Sequence, residues 1–158
     1  MASVNDIVVK LTSTWSDKVK PGDAPGMVIV EASHIRDVCE FLQRDPDCYF
    51  DMLSCLTGLD NGPEAGTMEV IYNLYSIPFD HHLMVRVIVP RDNPEVPSVT
   101  SVYRTANWHE REAYDLFGIR FTDHPDLRRI LLPADWEGYP LRKDYRHQEY
   151  YRGIKVEY

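Results

Sequence analysis

The sequence lacks the features that mark several large classes of protein. Its three cysteines, Cys39, Cys48 and Cys55, show no C-x-x-C spacing. An odd number of cysteines argues against a disulfide framework, and three are fewer than an iron–sulfur cluster usually takes. We therefore expect free thiols in a reducing compartment. The apolar runs are as short as residues 27–30, whereas a membrane-spanning helix needs about 20 apolar residues.

Positive charge is also scarce. The chain has 17 lysines and arginines against 25 aspartates and glutamates, a formal net charge of −8, and no basic face for nucleic-acid phosphates is evident. Neither a basic amphipathic segment nor the pattern of a signal peptide is present. We therefore expect a cytoplasmic protein that binds no nucleic acid and meets a membrane only through a partner.

Sequence patterns for cofactors and for common catalytic sites are missing as well. There is no G-x-G-x-x-G after a predicted strand, no Walker A motif and no G-x-S-x-G. We expect no nucleotide, flavin, haem or cluster site in this chain, and therefore no redox chemistry that the chain performs alone.

Hydrophobic periodicity predicts one α+β domain, with helices packed on one small mixed or antiparallel sheet. The composition, 44% hydrophobic and 27% charged, is that of a globular protein. The predicted elements are a helix over 4–18, a strand over 27–31, a helix over 34–44 capped by Ser33, strands over 49–60, 67–77 and 82–89, and a helix over 98–117 that ends at Gly118.

The last part of the chain has a different character. Pro125, Pro133 and Pro140 recur at short intervals, which excludes a long helix between them. We predict that residues 1–118 form the α+β domain and that residues 119–158 form an extended, proline-rich C-terminal arm. An arm with few regular elements is not expected to bury its aromatic residues on itself, so we expect it to pack on a partner subunit.

Residues 109–145 carry acids, bases, histidines and aromatics at high density, and one interpretation is a metal or acid–base centre. The ligands would be His109, His124 and the carboxylates between them, as in a stand-alone metal-dependent hydrolase. However, H-E-R-E is not H-E-x-x-H, and Arg111 lies four residues before Asp115, close enough to pair with it on a helix. Ion pairing is therefore favoured over catalysis.

The other interpretation is a protein–protein interface, because aromatic residues and arginines among matched charges are typical of one. Arg128, Arg129 and Trp136 suit the anchoring of a partner, since Arg offers several fixed donors and Trp a large apolar area. The alternative is that Arg128 pairs with Asp126 and that Trp136 covers the domain's own core.

Residues 110–145 resemble the signature of the 30-kDa subunit, termed C, of the proton-pumping NADH:quinone oxidoreductase, respiratory complex I. E-R-E, D-L-F-G-I, H-P-D-L-R-R-I-L and P-L-R-K-D-Y stand in the family's order and spacing, and N-P-E-V-P-S-V-T-S-V-Y fits just upstream. The resemblance implies a chain without a redox centre, in the peripheral arm on the cytoplasmic face of the inner membrane. It implies packing against the subunit termed D, which forms the quinone site with its neighbour, termed B; these two are the quinone-site subunits. NADH, flavin, iron–sulfur clusters and quinone belong to the rest of the complex.

The resemblance also implies structural and interface roles for the motif residues, and no catalytic, cofactor-binding or metal-binding residue is expected. The candidate interface residues are Glu110, Arg111, Glu112, Asp115, His124, Arg128, Arg129, Trp136, Arg142 and Tyr145, with Pro125 as a further motif position. Related subunits occur in membrane-bound hydrogenases, in ferredoxin-using photosynthetic complexes and in archaeal dehydrogenases, so the electron donor stays open.

Overall fold

The structure, a computed structural model, describes residues 2–156, which form helices and strands in a mixed order. In chain order the elements are α1 (Val4–Trp15), β1 (Val19–Pro21), β2 (Met27–Val30), α2 (Ile35–Arg44), β3 (Met52–Asp60), β4 (Thr67–Ser76), β5 (His81–Pro90), β6 (Glu95–Pro97), α3 (Ala106–Phe117), β7 (Arg120–Thr122), β8 (Tyr150–Tyr151) and β9 (Ile154–Lys155). Short 3₁₀ turns over 16–18 and 32–34 precede β1 and α2.

The main sheet has five strands in the order β1-β2-β5-β4-β3. Strands β3, β4 and β5 form an antiparallel meander. Strand β2 runs parallel to β5, and β1 runs antiparallel to β2. Two further pairs lie outside this sheet, β6 with β7 in parallel and β8 with β9 in antiparallel orientation. The predicted α+β class with a mixed sheet is confirmed.

Alternation along the strands decides which sheet face is buried. Leu83, Val85, Val87 and Val89 of β5 are buried, whereas the residues between them are more exposed, as expected when successive side chains point to opposite faces. These side chains share one core with the apolar faces of the helices. The helical members of that core are Ile7, Leu11, Ile35, Val38, Cys39, Leu42, Ala106, Ala113 and Phe117.

Two predicted helix starts are wrong. Ser33 does not cap α2, because it lies inside a 3₁₀ turn; His34 occupies the N-cap position without a side-chain bond, and the Ser33 hydroxyl donates to Glu31. Helix α3 begins at Ala106 rather than at residue 98. The preceding residues form turns instead, with the N–H groups of Val102 and Tyr103 donating to the carbonyl of Val99.

The core also extends past the predicted boundary between residues 118 and 119. Ile119 and Phe121 are buried in it, and β7 pairs in register with β6, which places Phe121 beside Val96. The pairing joins two segments that are distant in the chain, so local sequence does not reveal it. The irregular part of the arm therefore begins after Thr122 rather than after Gly118.

Gly58 in β3 allows α3 to pack closely on the sheet. A Cβ atom at this position would lie 2.7 Å from a ring carbon of Phe117 and 3.1 Å from Cδ1 of Ile119. Both side chains belong to the core. The close approach brings the end of α3, where the candidate site begins, directly against the sheet.

We expect Gly58→Ala to destabilise the fold by about 1–3 kcal/mol, because a methyl group would overlap the Phe117 ring in a packed core. Thr57→Ala is the control, since Thr57 is an exposed neighbour on the same strand; its cost should stay below about 1 kcal/mol. Urea unfolding of the two variants measures the difference. Equal stability of both variants would contradict the close packing.

Candidate functional site

The carboxylate of Asp115 binds the arm to α3. Its Oδ2 accepts the backbone N–H groups of Ile130, Leu131 and Leu132 at 3.1, 2.7 and 2.9 Å, and its Oδ1 accepts Nη1 of Arg129 at 2.9 Å. Successive N–H groups that converge on one anion form a backbone nest. Burial alone would raise the pKa of Asp115, but the backbone N–H groups and the guanidinium outweigh it and lower that pKa.

Two arginines of the signature bind backbone carbonyls of the arm. Arg111 donates to the carbonyls of Arg128 and Arg129, each at 3.2 Å. Arg129 donates to the carbonyls of Trp136 and Gly138 at 3.1 and 2.9 Å. The expected Arg111–Asp115 pair is therefore wrong, since Arg129 binds that carboxylate. Arg111 instead donates to arm carbonyls that have no partner within a helix or strand.

Asp60, at the end of β3, holds the arm at a second point. This buried carboxylate accepts Nε of Arg91 at 2.8 Å and the backbone N–H groups of Lys143 and Gly62 at 2.8 and 3.0 Å. Arg91 also contacts Asp144 of the arm. Burial would raise the pKa of Asp60, but these donors lower it to about 2.

A third contact ties the arm to the C-terminal end of α3. Arg142 donates to the carbonyl of Phe117 at 2.7 Å, and the N–H of Leu141 donates to the carbonyl of Leu116 at 3.0 Å. These bonds satisfy carbonyls that the helix leaves without intrahelical partners. Gly118 ends the helix in the left-handed region, with φ at 76°, so its predicted role as a C-cap is confirmed.

These contacts show that residues 123–145 follow a fixed path on the chain's own domain. Carboxylates from α3 and from β3 accept arm N–H groups, and the arm donates back to the end of α3. This part of the arm therefore has contacts with the chain's own domain, which its lack of regular elements did not predict. Packing of its outward side against a partner stays a prediction.

Glu110, by contrast, points into the core. The carboxylate is fully buried and accepts the hydroxyl of Ser98 at 2.7 Å and the N–H of Val99 at 2.8 Å. Burial raises the pKa of Glu110 to about 7, against the lowering effect of these two donors. Glu110 therefore fixes the turn after β6 to α3 from inside the chain.

The buried side chain of His124 lies 3.9 Å from Glu110. Its Nδ1 accepts the N–H of Asp126 at 3.0 Å, so that Nε2 carries the proton and donates to the carbonyl of Asn107 at 3.0 Å. A ring with one accepting and one donating nitrogen is neutral. His124 thus orders the start of the irregular arm without an ionic bond to Glu110.

The remaining candidate residues lie nearer the surface. Arg128 pairs with Asp126 at 2.8 Å, and both side chains are largely exposed. Trp136 is half-buried; its Nε1 donates to the Tyr145 hydroxyl at 3.2 Å, and its ring lies 5.3 Å from that of Tyr151. Trp136 therefore packs within the arm rather than on the domain's core. Glu112 is exposed. The interface role of all ten candidates stays a prediction.

The structure does not assemble the alternative metal centre. His109 lines a surface cavity of about 370 Å³ with Arg104, Thr105 and Trp108, whereas Glu110 and His124 are buried with partners of their own. Within residues 2–156 there is no group of three or more His, Cys, Asp or Glu side chains placed to hold a metal ion. The described residues therefore do not form the alternative His109–His124 carboxylate cluster.

Sequence reasoning missed Asp60 and Arg91, and also the exposed apolar side chains near the arm. Trp108, Leu131 and Leu141 are 71, 62 and 52% exposed. Large apolar side chains that face water are typical of protein–protein contact sites when they gather in patches. No sequence signal could have found them, because apolar residues are equally common in the core.

We expect Asp115→Asn to free the arm, because an amide places N–H groups against N–H donors. Removing one member of a buried pair costs about 3–5 kcal/mol. Trypsin should then cleave more rapidly after Arg128 and Arg129. Asp126→Asn, which changes only an exposed pair, is the control. Unchanged cleavage in Asp115→Asn would show that the nest does not hold the arm.

Acid should weaken the Asp60 attachment. The folded pKa of about 2 lies below the unfolded value, so the carboxylate stabilises the fold above roughly pH 4 and loses this effect as the pH falls toward 2. At pH 7 the shift corresponds to about 2 kcal/mol. Asp60→Asn should show this deficit at pH 7 and a smaller one at pH 3, in urea unfolding, while exposed Asp144→Asn should lose less. A deficit independent of pH would contradict an ionic role.

Comparison with known proteins identifies the family. The family model described as "Respiratory-chain NADH dehydrogenase, 30 Kd subunit" matches residues 28–151. The NADH-quinone oxidoreductase subunit termed C of Chlorobium phaeobacteroides is 47% identical over 135 residues, covering 85% of this chain and 81% of that one. The subunit of the same name from Trichlorobacter lovleyi is 44% identical over 149 residues, covering 92% and 91%. That of Chloroherpeton thalassium is 50% identical over 119 residues, but the match spans only 49% of its length.

Solved structures agree with the fold. The trypsin-resistant fragment (1–134) of Nqo5 has a TM-score of 0.63 and 28% identity, over 79% of this chain and all of the fragment. A chain of the membrane-bound sulfane sulfur reductase, an archaeal respiratory membrane complex, has a TM-score of 0.73 over 91% of this chain and 86% of that one, and at 24% identity it shows the fold alone. Within residues 2–156, no helix is long and apolar enough to cross a membrane. On the family match over residues 28–151 and on these relatives, the chain belongs to the family of the 30-kDa subunit of the respiratory-chain NADH dehydrogenase.

Proposed function

We propose that the chain is the non-catalytic 30-kDa subunit of a proton-translocating NADH:quinone oxidoreductase. It supports assembly of the peripheral arm near the quinone site, on the cytoplasmic face of the inner membrane. Its partners are the quinone-site subunits, chiefly the one termed D and then its neighbour, termed B. The chain binds no cofactor; NADH, flavin, iron–sulfur clusters and quinone are bound by the rest of the complex.

One observation carries the non-catalytic role: the charged side chains of the signature bind the chain's own backbone. Asp115 accepts four donors from the arm, and Arg111 and Arg129 donate to arm carbonyls. A general acid or base must reach a substrate proton, whereas these groups are occupied by structural bonds. The charged residues of the signature therefore fix the conformation of the arm.

The outward side of this shaped arm supports a partner-binding role. Leu131 belongs to the nest of Asp115, so its backbone is held by the bond of its N–H to that carboxylate, while the residue is 62% exposed. Leu141 is held in the same way by the bond of its N–H to Leu116. Apolar side chains on an ordered backbone lose little entropy on binding, which favours association.

We expect Leu131→Asp to impair assembly without unfolding the chain. Placing a charge in an apolar contact should cost about 2 kcal/mol or more in association, whereas an exposed side chain in the free chain should change its stability by less than about 1 kcal/mol. The matched control is Ile77→Asp, since Ile77 is 60% exposed at the β4–β5 turn.

The test uses a tagged chain expressed in cells that lack the natural copy. Thermal unfolding of the purified chain is compared with the recovery of partner subunits from detergent-solubilised membranes. Assembly equal to that of Ile77→Asp would remove Leu131 from the interface. Recovery of hydrogenase or ferredoxin-linked subunits instead of the quinone-site subunits would overturn the proposed complex. Normal assembly with loss of quinone reduction would overturn the non-catalytic role.

A further inference from the structure

We propose that Glu110 is a pH-sensitive joint between the domain and its arm. The folded chain binds one proton at this carboxyl group near neutral pH. Loss of that proton leaves a buried charge and lowers the stability of the packing among α3, the turn at 98–100 and the start of the arm. The inference concerns regulation of the fold itself and does not depend on the proposed function.

The geometry leaves the Glu110 carboxylate without a cationic partner. Its two hydrogen bonds come from neutral donors, the Ser98 hydroxyl and the Val99 N–H. The nearby imidazole of His124 is neutral, because its Nδ1 accepts the N–H of Asp126. A buried carboxylate with neutral donors only is expensive to ionise, so it retains a proton to a higher pH.

The groups that face Glu110 from the neighbouring elements do not change this balance. From β4, the buried Tyr72 hydroxyl has no hydrogen-bond partner among the described residues; from α2, Cys39 is a fully buried thiol. Neither brings a positive charge. Arg36 of α2 lowers the pKa of Glu110, but its guanidinium is directed to the carbonyl of Ser98 and to Asp123. Burial dominates and raises the pKa of Glu110 to about 7.

Ionisation of Glu110 would also disturb the arm through His124. The Glu110 carboxyl lies 3.9 Å from Nε2 of His124. The same ring joins α3 to the arm, because it donates to the carbonyl of Asn107 and accepts the N–H of Asp126. Loosening of the packing around an ionised Glu110 therefore reaches the first turn of the arm through this ring.

Carbon-13 NMR of the full chain tests the proposal directly. The side-chain carboxyl resonance of Glu110 should titrate near pH 7. It is assigned through its correlations with the other carbons of Glu110 and by its absence in Glu110→Gln. The carboxyl resonance of Glu112, exposed on the same helix, is followed in the same spectra as the internal comparison. A Glu110 midpoint below about 5 would overturn the proposal, and this result needs no stable variant.

Unfolding gives the second measurement. Because the folded pKa lies above the unfolded value, the stabilisation is complete below about pH 4.5 and is lost as the pH rises through about 7. The unfolding constant of the natural chain should therefore rise up to about tenfold per pH unit between roughly pH 5 and 7, relative to Glu110→Gln. Glu112→Gln should keep the natural pH dependence. Parallel curves for the natural chain and Glu110→Gln would overturn the joint.

The link to the arm needs its own readout. Amide exchange of Val99 and Asp126, corrected for the intrinsic rate at each pH, should show more frequent opening above pH 7 in the natural chain. The same amides should show constant opening in Glu110→Gln. A carboxyl that titrates near pH 7 without any change in these two amides would limit the role of Glu110 to the core and overturn its coupling to the arm.

Discussion

The path of the arm depends on one buried carboxylate. The irregular chain after β7 has almost no secondary structure to satisfy its backbone groups, and an unpaired buried N–H is costly. Asp115 solves this by offering one oxygen to three successive N–H groups and the other to Arg129. Arg111 and Arg129 perform the complementary task by donating to arm carbonyls. Side chains of the signature thus replace the hydrogen-bond ladder of a helix or strand.

A second carboxylate attaches the arm to the domain at a second point. Asp60 binds the arm at Lys143, while Asp115 binds it at residues 130–132. Between these two attachments, Arg129 donates to the carbonyls of Trp136 and Gly138 and so holds the middle of the segment. A segment fixed at both ends and braced in the middle presents its outward side chains in one arrangement. Such preorganisation lowers the entropy cost of association with another surface.

Charge is used in two opposite ways in this chain. Asp60 and Asp115 are ionised and buried, and each is offset by an arginine and by backbone N–H groups. Glu110 is buried as deeply but receives hydrogen bonds only from neutral donors. At Glu110 these donors do not outweigh the effect of burial, so its pKa is raised. Neighbours, rather than depth alone, therefore decide whether a carboxylate acts as a permanent anchor or responds to pH.

The sequence by itself determined the features whose signals are local. Alternation identified β3, β4 and β5, helical spacing identified α2, Gly118 identified the end of α3, and the signature over residues 110–145 identified the family. Only the tertiary structure decided the partners of the charges. In the structure Asp115 pairs with Arg129 rather than with Arg111, Asp60 and Arg91 bind the arm, and β6 pairs with β7. Each of these contacts joins residues far apart in the chain, and periodicity and spacing describe only neighbours within a few turns. Whether Glu110 is buried, or Leu131 exposed, depends on how the whole chain packs around it.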